Sequence, residues 1–237
     1  MNKLKLLFYI YWDILSRKYW LWKSKKSVIN GLVLMYHHIT DEKLNVSQSC
    51  VHKISQFKET LMRLKNEGYL FVTIDNALQI IESHSSQMFA VVTFDDVPED
   101  VFINAYPILK ELRIPFTLFI TIDYIGKEGY LNQAHIKEMC SDSLCTIGSH
   151  TLTHPMLRNS SHIQREIFNS KKQIEDMIGR EVKYIAYPYG KRAAVSYESR
   201  RLAQKAGYKC AFGTIDAPIS DYTSTHTYYL PRMVLYR

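Results

Sequence analysis

The chain lacks several features that would define its class at once. Its four cysteines, Cys50, Cys140, Cys145 and Cys210, form no CxxC pair. The chain is also not a small disulfide scaffold, and we expect buried free thiols. The sequence also has no internal repeats, no low-complexity tracts and no linkers rich in Pro, Gly and Ser. We therefore expect the 237 residues to form one sizeable domain.

The N-terminal segment has no apolar run long enough to cross a membrane. Residues 4–15 are apolar and aromatic, but Asp13 interrupts them, and the stretch is too short for a spanning helix. It also lacks the cleavage site of a secretory signal. We predict an amphipathic helical extension over residues 1–30. Its residues 1–26 either bind a membrane face as a peripheral helix or pack on the domain's own surface. The expected location is cytoplasmic, at the inner membrane if the helix binds lipid, with an exported location as the alternative.

A net charge of +7 is not concentrated in any basic run outside that segment, because the other cationic residues are scattered among acidic ones. This distribution is typical of solubility or surface association rather than of a nucleic-acid interface. We expect no nucleic-acid partner. A nucleic-acid binder would instead show strongly salt-dependent binding.

From residue 31 onward, short apolar runs alternate with helical patterns. Strands are predicted at residues 31–36, 71–74, 89–94, 115–120, 144–147, 184–187, 208–213 and 229–235. Helices are predicted at residues 54–67, 75–82, 132–139, 161–178 and 197–206, with another ending near residue 112. The alternation indicates a parallel sheet covered by helices. The number of units favours a closed or nearly closed β/α barrel over residues 31–237.

Reactive side chains follow two of the predicted strands, and a third strand runs into residues 186–190, at the end where such barrels collect their chemistry. Asp95 and Asp96 follow one strand, and His150 and His154 follow another. One carboxylate could bind a divalent metal while the other takes a proton from water. Two histidines four positions apart can face one metal. Taken alone, the two aspartates could instead belong to a loop or cap a helix. The two histidines alone are a weak pattern.

Three motifs together resemble a known family. TFDD (93–96), SHTLTH (149–154) and AYPYG (186–190) resemble, in this order, the first three motifs of the NodB-type polysaccharide deacetylases, carbohydrate esterase family 4. MYHHI and AYPYG resemble most the branch that deacetylates poly-N-acetylglucosamine. The resemblance covers roughly residues 31–235. It implies a distorted β/α barrel of about seven strands, a zinc-type divalent ion (cobalt or nickel being alternatives), and removal of N-acetyl groups from an N-acetylhexosamine-containing glycan or its precursor.

The same resemblance implies a role for each motif residue. It assigns the metal to Asp96, His150 and His154. It makes Asp95 the general base, and the backbone N–H of Tyr189 a donor to the developing oxyanion. The turn around Tyr189 is expected to contact substrate through Tyr187, Pro188 and Gly190.

Two departures from the family pattern concern the remaining catalytic groups. The usual Leu-His motif near the C-terminus is absent, and His37, after the first strand, matches the position of the acid in the poly-N-acetylglucosamine branch. His38 and His226 are the alternatives. The third motif also lacks its usual Arg, and we hypothesise that Arg232 supplies the charge beside the base. In addition, Val97 stands where the common motif has glycine.

Two other functions stay open at this point. The chain could be a non-catalytic carbohydrate-binding relative, although the predicted base and metal residues are all present. It could also hydrolyse another ester or amide on the same scaffold. Substrate profiling separates these possibilities from deacetylation.

Overall fold

The computed structural model describes residues 3–235. Its α-helices are α1 (Lys3–Ser24), α2 (Ile54–Asn66), α3 (Ile74–Glu82), α4 (Tyr106–Leu112), α5 (Gln133–Ser141), α6 (Ile163–Ile178) and α7 (Tyr197–Lys205). Its strands are β1 (Gly31–Tyr36), β2 (His38–Ile39), β3 (Val51–His52), β4 (Leu70–Phe71), β5 (Phe89–Asp95), β6 (Phe116–Ile120), β7 (Cys145–Ser149), β8 (Tyr184–Ala186) and β9 (Cys210–Phe212). A π-helical turn, Val101–Ala105, precedes α4.

Seven strands form one curled parallel sheet. The order is β1-β5-β6-β7-β8-β9, with β4 beside the start of β5, and β2 pairs separately with β3. Leu230 bridges to Phe212 in β9, and Met233 bridges to Leu34 in β1. The C-terminal segment therefore spans the gap between the last and the first strand. The predicted distorted β/α barrel, as a single domain with about seven strands, is confirmed.

The sequence of β5 explains its central position. All seven of its residues are buried, which is typical of a parallel strand covered on both faces. Ala90, Val92 and Phe94 pack in the large core between sheet and helices. Phe89 and Val91 pack in a second core with side chains of β1, β6, β8 and β9. Because side chains alternate along a strand, Asp95 follows Val91 onto this second face, at the carboxyl end of the sheet.

Three local predictions are wrong. The helix predicted at residues 161–178 begins only at Ile163, and His162 before it makes no side-chain cap. The strand predicted at residues 71–74 ends at Phe71, because the Thr73 hydroxyl accepts the Asn76 N–H and starts α3. The predicted strand at residues 229–235 makes only isolated bridges.

Helix α1 packs one side against the barrel. Arg17 Nε lies 2.6 Å from Asp216 Oδ2, and the Arg158 guanidinium lies 4.8 Å from the centre of the Tyr9 ring. The opposite side carries exposed apolar and aromatic residues. Over residues 3–235, no helix combines the length and the apolar character that a membrane span requires. The domain boundary at residue 30 stays a prediction.

Candidate active site

A cavity of about 470 Å³ opens at the carboxyl ends of the strands, where a β/α barrel presents its loops. We call it the catalytic cavity. Seven of the residues singled out in the sequence line it: His37, Asp95, Asp96, His150, His154, Tyr189 and Arg232. They come from the last residue of β5, from the loops after β1, β5, β7 and β8, and from the C-terminal segment. The fold thus brings together groups that are distant in sequence.

The buried pair Asp95 and Arg232 forms the floor of this cavity. Arg232 Nη1 donates to Asp95 Oδ1 and Arg232 Nη2 donates to Asp95 Oδ2, both at 2.6 Å. Arg232 Nε donates to the Gly213 carbonyl at 3.0 Å, which fixes the plane of the guanidinium. The structure thus has the ion pair that was hypothesised for Arg232.

The ionisation of Asp95 follows from these neighbours. Burial alone would raise the pKa of this carboxyl, but the charge of Arg232, the nearby His150 and the hydrogen bonds from Arg232 together hold the pKa well below its usual value. Asp95 is therefore a carboxylate at neutral pH. Each of its oxygens keeps a lone pair that Arg232 does not occupy.

Three ligand-type side chains meet beside Asp95. The Asp96 Oδ1 atom lies 3.8 Å from His150 Nε2 and 3.5 Å from His154 Nε2. One ligand atom from each of the three residues lies within 4.8 Å of the others. Thr121, directly after β6, donates a hydrogen bond to the same Asp96 oxygen at 3.2 Å. One carboxylate and two imidazoles form a donor set typical of zinc and similar ions.

The tautomer of His150 is fixed by the backbone. Its Nδ1 lies 2.8 Å from the Ala186 carbonyl oxygen, which can only accept, so Nδ1 carries the proton. Burial lowers the pKa of His150 to about 4, although Asp95 and Asp96 oppose this. The ring is therefore neutral at neutral pH, and Nε2 directs a lone pair toward Asp96. Metal-ligating histidines commonly use this arrangement.

The backbone around the cavity is strained. Among the residues that the structure describes, seven other than glycine have a positive φ, and five of them lie in the loops after β5, β7 and β8: Asp96, Val97, Thr151, His154 and Tyr189. Such conformations cost on the order of 1–3 kcal/mol each and cluster at functional sites. Val97, with φ 51°, adopts the left-handed conformation in the position where the family motif has glycine.

The turn after β8 places Tyr189 in the catalytic cavity and buries the two residues before it. Tyr189 is exposed and lines the cavity, with its ring centre 4.8 Å from that of His154. Tyr187 is fully buried in the core, where its hydroxyl donates to the Tyr228 carbonyl at 3.1 Å, and Pro188 is buried as well. Neither side chain lines the catalytic cavity, and their predicted contact with substrate stays a prediction.

Gly190 shapes the turn that presents Tyr189, and its predicted substrate contact stays a prediction. Its φ is +56°, and a Cβ atom would lie 2.4 Å from Thr214 Cγ2 and 2.6 Å from the Thr214 nitrogen. Its carbonyl accepts the Thr214 N–H at 2.9 Å. Only glycine allows this close approach, and the approach fixes the turn that presents Tyr189.

The three candidate acids lie in different surroundings. His37 lines the catalytic cavity. Burial lowers its pKa, while Asp95 and Asp96 raise it. His38 instead turns to Asp100, with Nδ1 2.7 Å from Oδ2. His226 lines surface cavities beside Tyr229, away from the metal-ligand cluster.

Sequence reasoning missed several residues of the site. Ser49, Cys50, Lys191, Thr214 and Asp216 line the catalytic cavity. Glu166, in α6, accepts hydrogen bonds from the Leu152 and Thr153 N–H groups, both at 3.0 Å, and so holds the loop that carries His154. A helical glutamate gives no sequence signal for such a contact.

The chain matches known proteins along most of its length. A family model described as "Polysaccharide deacetylase" matches residues 82–211. A poly-β-1,6-N-acetyl-D-glucosamine N-deacetylase from Staphylococcus aureus is 27% identical over 228 residues, which cover 89% of this chain and 75% of the relative.

Solved structures share the fold. A polysaccharide deacetylase from Bacillus cereus matches with a TM-score of 0.76 and 26% identity over 86% of this chain. The chain spans 64% of that protein, just under two thirds of its length. The Streptococcus pyogenes deacetylase PplD, solved with acetate, has a TM-score of 0.78 at 24% identity, and 87% of this chain and 92% of that one are covered.

Proposed function

This chain belongs to the polysaccharide deacetylase family, and on that premise we propose that it is a metal-dependent hydrolase that removes N-acetyl groups from an N-acetylhexosamine-containing polysaccharide or its precursor. The observation that carries the proposal is the cluster of Asp96, His150 and His154 beside the ionised Asp95. The S. aureus relative is named for poly-β-1,6-N-acetyl-D-glucosamine, which makes this glycan the first substrate to test.

The residues present fit a divalent metal. Asp96 Oδ1, His150 Nε2 and His154 Nε2 would hold it, and His150 is already the correct tautomer because its Nδ1–H faces the Ala186 carbonyl. Three protein ligands leave coordination positions open, as hydrolytic sites require. Zinc is the first candidate, and cobalt or nickel would suit the same donors. When bound, such an ion would polarise the amide carbonyl and lower the pKa of the attacking water.

Asp95 would accept the proton of that water. It lies in the same cavity, with Oδ2 3.9 Å from His150 Nε2, and Arg232 holds both of its oxygens in place. As the water oxygen bonds to the acetyl carbon, the carbonyl oxygen gains negative charge. The Tyr189 N–H would donate to this oxygen.

His37 would complete the reaction by giving a proton to the amine as the carbon–nitrogen bond breaks. The products are acetate and a glycan with a free amino group. His37 is the candidate that lines the catalytic cavity, whereas His38 is held by Asp100.

Substrate profiling tests this proposal. Acetate and free amine are measured after incubation with N-acetylglucosamine oligomers, and acetate alone after incubation with O-acetylated xylan oligomers. We expect release from the N-acetylated substrates only, and none from the Asp95→Asn variant. Release of acetate from the O-acetylated xylan oligomers alone would favour hydrolysis of an ester on the same scaffold. Binding of the oligomers without any release would favour the non-catalytic carbohydrate-binding function.

We further propose that α1 binds an anionic membrane surface as a peripheral helix. Its outer side carries a row of exposed side chains at helical spacing, Phe8, Tyr11, Leu15, Tyr19 and Trp22. Exposed Lys18, Lys25 and Lys26 lie beside or just beyond this row. Aromatic residues next to lysines suit the headgroup region of an anionic bilayer.

Vesicle co-sedimentation tests the membrane proposal. The protein is expected to sediment with phosphatidylglycerol vesicles and not with phosphatidylcholine vesicles. Trp22→Ser should weaken binding, whereas Tyr197→Ser, at an exposed aromatic outside α1, should not. Equal binding by both variants would contradict it. The cytoplasmic location stays a prediction, which cell fractionation tests.

A further inference from the structure

A second cavity, of about 1110 Å³, lies between α1 and the mouth of the barrel. We call it the α1 cavity. It adjoins the catalytic cavity, because Lys191, Thr214, Asp216 and Val234 line both. A ligand that reaches the metal-ligand cluster can therefore extend into the α1 cavity.

The α1 cavity contains apolar surface that the protein itself leaves uncovered. Ile10 and Ile14 line it from the helix, yet they are 46% and 54% exposed. Ile215 lines it from the loop after β9, and Met233 and Leu235 line it from the C-terminal segment. Because apolar surface in contact with water is unfavourable, this lining favours a ligand with a hydrocarbon part.

Both carboxylates that line the α1 cavity already have a cationic partner. Arg17 Nε lies 2.6 Å from Asp216 Oδ2, and Arg192 Nε lies 3.4 Å from Asp13 Oδ1. Among the residues that the structure describes, the lining has no further carboxylate. The α1 cavity therefore offers no unpaired negative charge to a cationic ligand.

Lys191 is a cation without such a partner, and its exposed side chain lines both cavities. Within residues 3–235, its ammonium group forms no hydrogen bond and no ion pair. Burial raises the pKa of Asp13, and Arg192 and Lys191 oppose this rise, so the charge of Lys191 acts within the α1 cavity. Arg63, paired with Glu67 at 3.0 Å, adds another positive charge to the lining. The lining thus favours an anionic ligand.

One class of substrate combines a hydrocarbon, an anion and an N-acetylated sugar. In a lipid-linked N-acetylhexosamine phosphate, the acetamido group is on the ring carbon next to the anomeric carbon, which bears the phosphate. With the acetyl group at the metal-ligand cluster, the phosphate would lie near Lys191, where the two cavities meet. The lipid would then continue along Ile10 and Ile14. A sugar nucleotide would instead place a polar ribose and base against this aliphatic wall.

We propose that the substrate is a lipid-linked N-acetylhexosamine phosphate, whose phosphate binds Lys191 and whose lipid lies along Ile10 and Ile14 in the α1 cavity. This inference rests on the proposed function and selects the polysaccharide precursor over the finished polymer. It also gives α1 two roles, because its other side carries the exposed aromatic residues that would contact the membrane. The same membrane would hold the lipid of the precursor.

The test measures the binding of three N-acetylglucosamine derivatives to Asp95→Asn with zinc present, by calorimetry. The ligands are the octyl phosphate, the methyl phosphate and the uncharged octyl glycoside, each below the concentration at which it forms micelles. The octyl phosphate should bind about tenfold more tightly than the methyl phosphate, as the burial of about two methylene groups would give. It should also bind about tenfold more tightly than the octyl glycoside, as a hydrogen bond to a charged group would give.

Matched variants of the same protein test the two parts of the site. Ile14→Trp fills the α1 cavity and should remove the preference for octyl over methyl phosphate, whereas Ile103→Trp, at an exposed isoleucine outside α1, should retain it. Lys191→Met should weaken both phosphates about tenfold and leave the octyl glycoside unchanged. Lys191→Arg should bind the phosphates well, as should Lys137→Met, at an exposed lysine of α5.

Equal affinity for the octyl and methyl phosphates would overturn the proposal, as would equal affinity for the octyl phosphate and the octyl glycoside. Normal phosphate binding by Lys191→Met would also overturn it, because the phosphate would then bind the metal alone.

These binding results do not depend on hydrolysis, so a failure of the proposed reaction is seen separately. Wild-type protein that deacetylates N-acetylglucosamine oligomers, with no preference for the octyl phosphate in binding, would overturn this inference and leave the proposed function intact. The expected binding pattern without acetate release from any of the substrates would support the lipid phosphate site and contradict the proposed function.

Discussion

Arg232 and Asp95, 137 positions apart, are joined by two parallel hydrogen bonds of 2.6 Å. The C-terminal segment brings Arg232 to the end of β5, because Met233 bridges to Leu34 in β1. The C-terminal segment thus supplies Arg232 to a site that also contains Asp95 from the middle of the chain. Both side chains are almost fully buried, so the charge of each is stabilised by the charge of the other.

Arg232→Met should shift the pH dependence of activity. Arg232 holds the pKa of Asp95 down against burial, which raises it. Without Arg232 the pKa of Asp95 rises, and the acid limb of kcat/KM should move to higher pH, with lower activity at neutral pH. The measurement is the pH profile of acetate release. An unchanged pH profile would show that Arg232 does not set the pKa of Asp95.

The same substitution should also destabilise the fold, by about 3–5 kcal/mol, because it leaves a buried carboxylate unpaired. The double variant Asp95→Asn, Arg232→Met removes that charge and should recover part of the loss in urea unfolding. No recovery would indicate that the cost of Arg232→Met comes from lost packing instead.

Replacing His37 should slow the chemical step. His37→Gln removes the proton donor to the leaving amine, so kcat should fall by about 100- to 10,000-fold with little change in KM. His226→Ala, in a residue remote from the cluster, is the control and should keep its activity. If His226→Ala lost activity and His37→Gln kept it, the assignment of the acid would be wrong.

Gly190→Ala should disturb the Tyr189 turn. Both Gly190 and Gly179 have a positive φ, but only at Gly190 would a Cβ atom collide with neighbouring atoms. Gly179→Ala should cost only about 1–2 kcal/mol for the left-handed conformation. Gly190→Ala should cost about 1–3 kcal/mol more and lower kcat. Thermal unfolding and acetate release of both variants check this, and equal effects would contradict it.

Zinc should stabilise the folded protein if Asp96, His150 and His154 bind it. At a free concentration 100 times Kd, the expected gain is about 2.7 kcal/mol, or a rise in Tm of about 5–10 °C for a domain of this size. His154→Ala should abolish the shift. Cys50→Ser, which removes the thiol that lines the same cavity, should retain it. A shift lost with Cys50→Ser would indicate a different ligand set.

The fold and the reactive cluster could be predicted because both leave local signals. Apolar runs such as residues 89–94 indicate buried strands, and the residues directly after them lie at one edge of a parallel sheet. The role of Tyr187 could not be predicted, since whether a side chain in a turn points to core or cavity depends on neighbours such as Tyr228. Nor could the pairing of Arg17 with Asp216, because these residues meet only when α1 packs on the barrel.

The central claim is that a single divalent ion at Asp96, His150 and His154 makes this chain a deacetylase. The most direct measurement is a titration of metal-stripped protein with zinc, in which acetate and free amine released from an N-acetylglucosamine oligomer are counted together. The account predicts equal amounts of both products, rising until one zinc per chain is bound and staying absent in Asp95→Asn. Full activity without any divalent ion, or acetate without a matching amine, would contradict it.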